Sequence, residues 1–167
     1  MNTYAYIDSP LGKLMISSDG TALTGLYMGA PSKRPSIDAW QENPATPALR
    51  ETAQQLHEYF SGTRREFELP LKFDGTEFQH QVWTALTEIP FGVTRTYSQL
   101  ARHIGNPAAC RAVGLANGKN PIAIIVPCHR VIGADGSLTG FGGGLPRKEW
   151  LLGHEGFPLM RTLELAI

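Results

Sequence analysis

The chain is 167 residues long, 42% apolar and 18% charged, which excludes disorder and allows one domain of ordinary size or two small ones sharing an interface. Its 15 basic and 15 acidic residues cancel, so no global field draws it to nucleic acid or a membrane, and any such binding must come from local charge. Residues 1–12, MNTYAYIDSPLG, lack the basic and apolar stretches of a secretory signal, the longest apolar run (residues 122–126) is far too short to cross a bilayer, and the two cysteines, Cys110 and Cys128, have no C-x-x-C spacing. The expectation is a cytoplasmic protein with both thiols reduced, no membrane association and no structural zinc.

Residues 4–7 and 13–17 read as short strands around the turn signal Ser9-Pro10-Leu11-Gly12, and residues 22–28 as a third strand after Asp19-Gly20, an antiparallel meander. Residues 29–47 carry Pro31, Pro35, Pro44 and Pro47 and read as a surface loop. A helix is expected next. Thr46 can cap it, Pro47 suits its first position, and Leu49, Ala53, Leu56 and Phe60 share one face before Ser61-Gly62 ends it. Residues 66–75 read as a further strand and a linker.

Beyond Gly75 the pattern turns helical. Thr76-x-x-Gln79 and Thr96-x-x-Gln99 are capping-box patterns. The first precedes Phe78, Val82, Leu86 and Ile89 at helical spacing, stopped by Pro90 and Gly92; the second opens a short helix through Ile104. Gly105-Asn106-Pro107 is a tight turn in which Asn106 caps, and Pro107 begins, a helix running to about Ala116 and ending at Asn117-Gly118. Two short helices about a Gly-containing turn form a helix-turn-helix. Six glycines within residues 133–144 mark a loop whose backbone approaches something closely, and a last helix spans residues 146–154. The expected fold is an α/β N-terminal domain with a small antiparallel sheet (residues 1–75) and a mostly α-helical C-terminal domain containing a winged-helix-like helix-turn-helix (residues 76–167).

No acidic residue lies between Glu88 and Asp135, whereas Arg95, Arg102, Arg111, Lys119 and Arg130 do. This local positive zone suits phosphate contact, or is a solvated face with chance spacing. The helix PAACRAVGLA is built of small residues around Arg111. It either approaches a groove closely, letting Arg111 reach between bases, or packs tightly inside with Arg111 at the surface.

The segment PIAIIVPCHRVIG puts a thiol beside an imidazole at the end of an apolar run. An isolated free cysteine is more often buried and inert than reactive. As a nucleophile Cys128 needs help, because a thiol of pKa about 8.5 is only about 3% thiolate at pH 7. His129 is adjacent, but on a regular strand the two side chains would point to opposite faces. The nucleophile reading therefore requires Pro127 to end a strand and Cys-His-Arg to bend. Glu155, in HEG after the last helix, could orient the imidazole, though spacing alone does not select it over other carboxylates. Cys110 reads as a small packing residue, and His57, His80, His103 and His154 show no ligand spacing.

The segment PCHRVIG, preceded by RAVGLANGKNP and followed by GFGGGLPRKEWLLGHEG, resembles the O6-alkylguanine-DNA alkyltransferases, the methylated-DNA–protein-cysteine methyltransferases, across residues 78–156. The resemblance implies a single-turnover repair protein that needs no cofactor. Cys128 would take an alkyl group from O6 of guanine, or O4 of thymine, in double-stranded DNA after base flipping, with His129 as base through a water and Glu155 orienting it. Asn120 would brace the active-site segment. Tyr97 would help rotate the nucleotide out, and Arg111 would fill the gap. Lys148 would lie near the active-site loop, the Val131 and Cys128 carbonyls and the Gly142 amide would read the base, and Thr96, Ser98, Ala112 and Gly114 would face DNA. A monomer in solution is implied, with cooperative binding along DNA left open. Ala123 stands where many members have proline, and Phe141-Gly142 where others have tyrosine and a small or polar residue, which predicts tolerance of O6 substituents larger than methyl. The rival readings are a lesion-binding protein without catalysis and a Cys-His hydrolase, whose signature would be turnover.

Overall fold

The computed structural model describes residues 2–29, 34–138, 141 and 143–157. The chain divides into two units, one comprising residues up to Asp74 together with Pro121–Ala123, the other Gly75–Asn120 and the chain from Ile124 onward.

In the first unit β1 (Thr3–Ile7), β2 (Leu14–Ser18) and β3 (Leu23–Met28) form the expected antiparallel meander, in register Ala5↔Ile16 and Ile16↔Leu26. A fourth strand, β4 (Gln41–Glu42), was not legible in the proline-rich loop; it pairs parallel to β1 and gives the sheet order β3-β2-β1-β4. Every residue of β2 is buried. Its two serines remain satisfied because Ser17 Oγ bonds Thr24 Oγ1 (3.0 Å) and Ser18 Oγ donates to the Ala22 carbonyl (2.7 Å).

Helix α1 (Pro47–Phe60) begins with the expected proline, but Thr46 does not cap it. The Thr46 hydroxyl instead bonds Thr3 Oγ1 at 2.9 Å, tying the helix start to β1. The buried stripe is also rotated from the expected one: Leu49, Thr52, Gln55, Leu56 and Tyr59 face inward, while Ala53 and Phe60 are half-buried. Gln55 goes inside because its amide satisfies both backbone groups of Glu68, donating to its carbonyl (3.1 Å) and accepting its N–H (2.9 Å). The strand expected over residues 66–75 reduces to an isolated bridge, Leu23↔Leu71, held by Leu23 N–H on the Pro70 carbonyl and Lys72 N–H on the Leu23 carbonyl. Pro70 has no N–H to extend that ladder.

In the second unit both capping boxes form. Thr76 opens α2 (Glu77–Thr87) and Thr96 opens α3 (Tyr97–His103), each with reciprocal bonds to the glutamine three residues on. Helix α4 (Cys110–Gly118) starts three residues later than expected, because Pro107-Ala108 form a turn closed by Ala109 N–H on the Asn106 carbonyl. Helices α3 and α4 are the helix-turn-helix; Trp83 of α2 anchors α4 by donating Nε1–H to the Ala116 carbonyl at 2.9 Å. Strand β5 (Arg95–Thr96) pairs parallel to β6 (Val131–Ile132), and α5 (Leu145–His154) follows Gly144, whose φ of 92° favours glycine. The core gathers Val82, Leu86, Leu100, Val113, Ile124, Val126, Val131, Leu151 and Leu152.

Candidate active site

The apolar run before Cys128 is not a strand. Ile122 makes an isolated bridge to Leu26, residues 123–125 turn, and Ile124 has φ 71°, in the left-handed region that a β-branched residue rarely adopts. The chain has thus left strand geometry before it reaches Pro127. There φ −81° and ψ 65°, with Cys128 N–H on the Val126 carbonyl at 2.8 Å, make an inverse γ-turn. Cys128–Arg130 then form one turn of 3-10 helix. The bend that the nucleophile reading requires is present, and it begins earlier than at Pro127.

Two asparagines clamp this bend. Asn120 Nδ2 donates to the Val126 carbonyl at 2.7 Å, and Asn117 Nδ2 to the Cys128 carbonyl at 3.4 Å. Asn120 was expected as a brace. The sequence marks Asn117 as a helix end, and the spacing ANGKN places it three residues before Asn120.

Cys128, His129, Arg130, Lys148 and Glu155 are all buried. His129 Nε2 lies 2.8 Å from Glu155 Oε2. Arg130 forks onto the same carboxylate, Nε to Oε1 at 2.8 Å and Nη2 to Oε2 at 3.0 Å, and its Nη1 donates to the Ile89 carbonyl at 2.6 Å. Gly92 N–H adds a longer bond to Glu155 Oε1, 3.5 Å. Glu155 is therefore the carboxylate that orients His129. Arg130 does not belong to a phosphate-facing zone: it is consumed inside, whereas Arg95, Arg102, Arg111 and Lys119 are exposed.

These surroundings set the protonation states. Burial opposes ionisation of Glu155, but the hydrogen bonds from His129 and Arg130 outweigh it and hold the carboxyl far below its ordinary range. Burial pushes His129 below 6.5, against the pull of Glu155, so the imidazole is neutral at neutral pH. Since Nε2–H is donated to a carboxylate, Nδ1 carries the lone pair, and it has no partner among the described residues. Burial pushes the Cys128 thiol up, opposed by an Asn120 hydrogen bond and the charge of Lys148. Burial also lowers Lys148 to about 8; its Nζ donates to the Val131 carbonyl at 2.6 Å. A protonated thiol becomes a nucleophile once its proton passes to a neutral imidazole with an available lone pair.

The helix-turn-helix presents a separate face. Arg111, Ala112 and Ser98 are exposed, Thr96 and Tyr97 half-buried, and Gly114 lies against the Tyr97 ring, where an added Cβ would sit at 3.8 Å. Cys110 is exposed, not packed, with its Sγ 3.6 Å from Ser98 Oγ. Leu115, one turn beyond Arg111, is 65% exposed. The glycine-rich loop closes on itself at Gly133, where a Cβ would meet Ser137 Oγ at 2.8 Å. Gly142 lies outside the described residues. Among the described residues no helix is long and apolar enough to cross a membrane, and no group of three His, Cys, Asp or Glu side chains could hold a metal ion.

Residues 2–73 match the family model of the 6-O-methylguanine DNA methyltransferase ribonuclease-like domain, and residues 77–157 that of the same family's DNA binding domain. A methylated-DNA–protein-cysteine methyltransferase of Mycolicibacterium paratuberculosis is 52% identical over 93% of this chain and 93% of its own. One of Methanosarcina acetivorans is 51% identical over 92% of this chain and 97% of its own. Among solved structures, the Mycobacterium tuberculosis OGT in complex with DNA is similar, with a TM-score of 0.86 and 51% identity over 92% of each chain.

Replacing Glu155 by glutamine strands the buried Arg130 charge and is expected to cost about 3–5 kcal/mol in urea denaturation. Acid should destabilise the wild type in two stages. The unfolded His129 takes a proton more readily than the folded one, so stability falls below pH 6.5. The unfolded Glu155 likewise takes a proton below 4.5, while the folded carboxyl resists. The variant should keep the first loss and lack the second; melting temperature against pH checks both.

Proposed function

The chain belongs to the methylated-DNA–protein-cysteine methyltransferase family, and from that premise we propose that Cys128 accepts an alkyl group from O6 of guanine in double-stranded DNA, once per protein molecule. The observation that carries this reading is the buried hydrogen bond between His129 and Glu155, on a 3-10 turn in which Cys128 immediately precedes His129. The reaction is direct-reversal repair. His129 Nδ1 takes the Cys128 proton through a water, the sulfur attacks the sp³ alkyl carbon, an S–C bond forms and the bond from that carbon to O6 breaks. The electron pair leaves with the guanine, which takes up a proton to balance the one held by His129. The product is a thioether, which water does not cleave readily, so the protein is consumed. A hydrolase would instead turn over.

A stacked guanine is out of reach of a buried thiol, so the base must be flipped at a cost of a few kcal/mol. The exposed Arg111 on a helix of small residues suits the gap left in the stack, with Tyr97 beside it turning the nucleotide and Thr96, Ser98, Ala112 and Gly114 at the DNA surface. Asn120 braces the nucleophile's turn, Lys148 holds the Val131 carbonyl, and Val131 with Gly142 reads the base. The protein acts as a monomer in the cytoplasm and accepts O4-alkylthymine as a second substrate.

Ala123 donates its N–H to the Leu26 carbonyl at 3.3 Å, a bond that proline could not make. The side chain given up at this position favours larger O6 substituents.

Incubation with O6-methylguanine duplex should add one CH2 to the intact mass, mapped to Cys128 and absent in Cys128→Ser; repeated turnover or an unchanged mass would defeat the reading. Arg111→Ala should slow transfer from duplex DNA by about tenfold or more while leaving transfer from free O6-benzylguanine unchanged, because only the duplex requires flipping. The benzyl-to-methyl rate ratio should equal or exceed that of a proline-bearing relative.

A further inference from the structure

Two side-chain atoms among the described residues are buried without a hydrogen-bond partner, His129 Nδ1 and Asn117 Oδ1. The first is the proposed base. The second has no part in the reaction as described so far.

Asn117 is 2% exposed, in the last turn of α4. Its Nδ2 donates to the Cys128 carbonyl at 3.4 Å, which fixes the amide's orientation, since the reverse would set two oxygens against each other. Oδ1 is thus a true acceptor, sealed from solvent and lacking a donor. Burying such an oxygen is costly, and an apolar residue of similar size would avoid the cost. Both unpartnered atoms also flank the same backbone. Asn117 bonds the Cys128 carbonyl, and His129 is joined to Cys128 by a peptide bond. Two buried acceptors on residues that bond or adjoin the Cys128 backbone call for a donor with two hydrogens and a lone pair, the complement of a water molecule.

We propose that Asn117 is a positioning residue for alkyl transfer: its Nδ2 steadies the Cys128 carbonyl, and its Oδ1 seats the water through which the Cys128 proton reaches His129 Nδ1. The inference rests on the transferase reading and adds a residue to it. In the step, the thiol gives its proton to the water as the water gives one of its own to Nδ1. The water is regenerated, and its other hydrogen stays on it, donated throughout to Asn117 Oδ1. The thiolate then attacks the alkyl carbon as above.

The test uses free O6-benzylguanine as alkyl donor, so that DNA docking does not enter, and follows benzylation of Cys128 by intact mass across a pH series. Asn117→Leu should slow transfer by about tenfold or more at pH 7, with the deficit closing as pH rises, because hydroxide then removes the thiol proton without the relay. Its melting temperature should fall, since the buried Cys128 carbonyl loses the Asn117 Nδ2 donor, and the pH series separates that cost from the loss of the relay. Asn117→Ser, which keeps an acceptor, should recover part of the rate. If Asn117→Leu does not fold, Asn117→Ala is read by the same criteria. A rate equal to wild type at every pH overturns the proposal, as does a deficit of the same size at every pH, which marks a structural role alone. A wild-type protein that takes up no benzyl group overturns the transferase reading itself, a result distinct from either.

Discussion

One desolvated carboxylate governs the chemistry of this chain. Glu155 is buried, and a buried carboxylate persists as an ion only with charge-assisted partners. With His129 alone as partner, the pair would be neutralised by a proton resident on the imidazole, and an imidazolium cannot act as a base. Burial first of all opposes that outcome, and Arg130 reinforces the opposition. Its fork supplies the compensating charge, and its proximity to His129 disfavours a second positive charge there. The imidazole is then oriented by Glu155 yet left neutral. Two consecutive residues thus divide the work, one neutralising the carboxylate and the other using it for orientation.

That division requires the consecutive side chains of His129 and Arg130 to converge on Glu155, which extended backbone forbids. The chain meets the requirement by abandoning strand geometry in steps: a left-handed Ile124, an inverse γ-turn at Pro127, then a 3-10 turn. A β-branched residue in the left-handed region costs on the order of 1–3 kcal/mol. The cost is met locally. Ile124 is itself buried, and Asn120 and Asn117 hold the carbonyls of Val126 and Cys128. Glycine at position 124 would relieve the strain but leave a cavity, so the strained isoleucine is the better compromise between packing and direction.

Both capping boxes, the three-stranded meander and the helix-turn-helix were legible because each depends on neighbours a few residues apart. Thr76 with Gln79, and Thr96 with Gln99, satisfy each other inside one helical turn. What escaped the sequence depends on distant partners. Gln55 is inside because of Glu68, and Arg130 is inside because of Glu155 and Ile89. Charge counting alone placed Arg130 among the phosphate-facing cations. The run at residues 122–126 misled for another reason: apolarity reports burial and not dihedral angle, so a buried turn and a buried strand read alike. The nucleophile segment was recognisable from PCHR in its context, whereas the role of Asn117 was hidden by its position at a helix end, where asparagine is ordinary.

The two cysteines show what burial does for a thiol meant to react once. Cys110 is exposed on the helix-turn-helix, open to any electrophile or oxidant. Cys128 is enclosed, its thiol held protonated by burial, and so is unreactive toward bulk reagents. A catalyst that turns over recovers from slow activation by repetition, but a protein used once is lost to any adventitious modification. Keeping the thiol protonated until its alkyl donor is at hand therefore favours selectivity over readiness. The cationic and catalytic parts are segregated to the same end. Arg95, Arg102, Arg111 and Lys119 stay at the surface, while Arg130 has its charge cancelled by Glu155. A neutral chain can in this way bind a polyanion without placing uncompensated charge around the thiol.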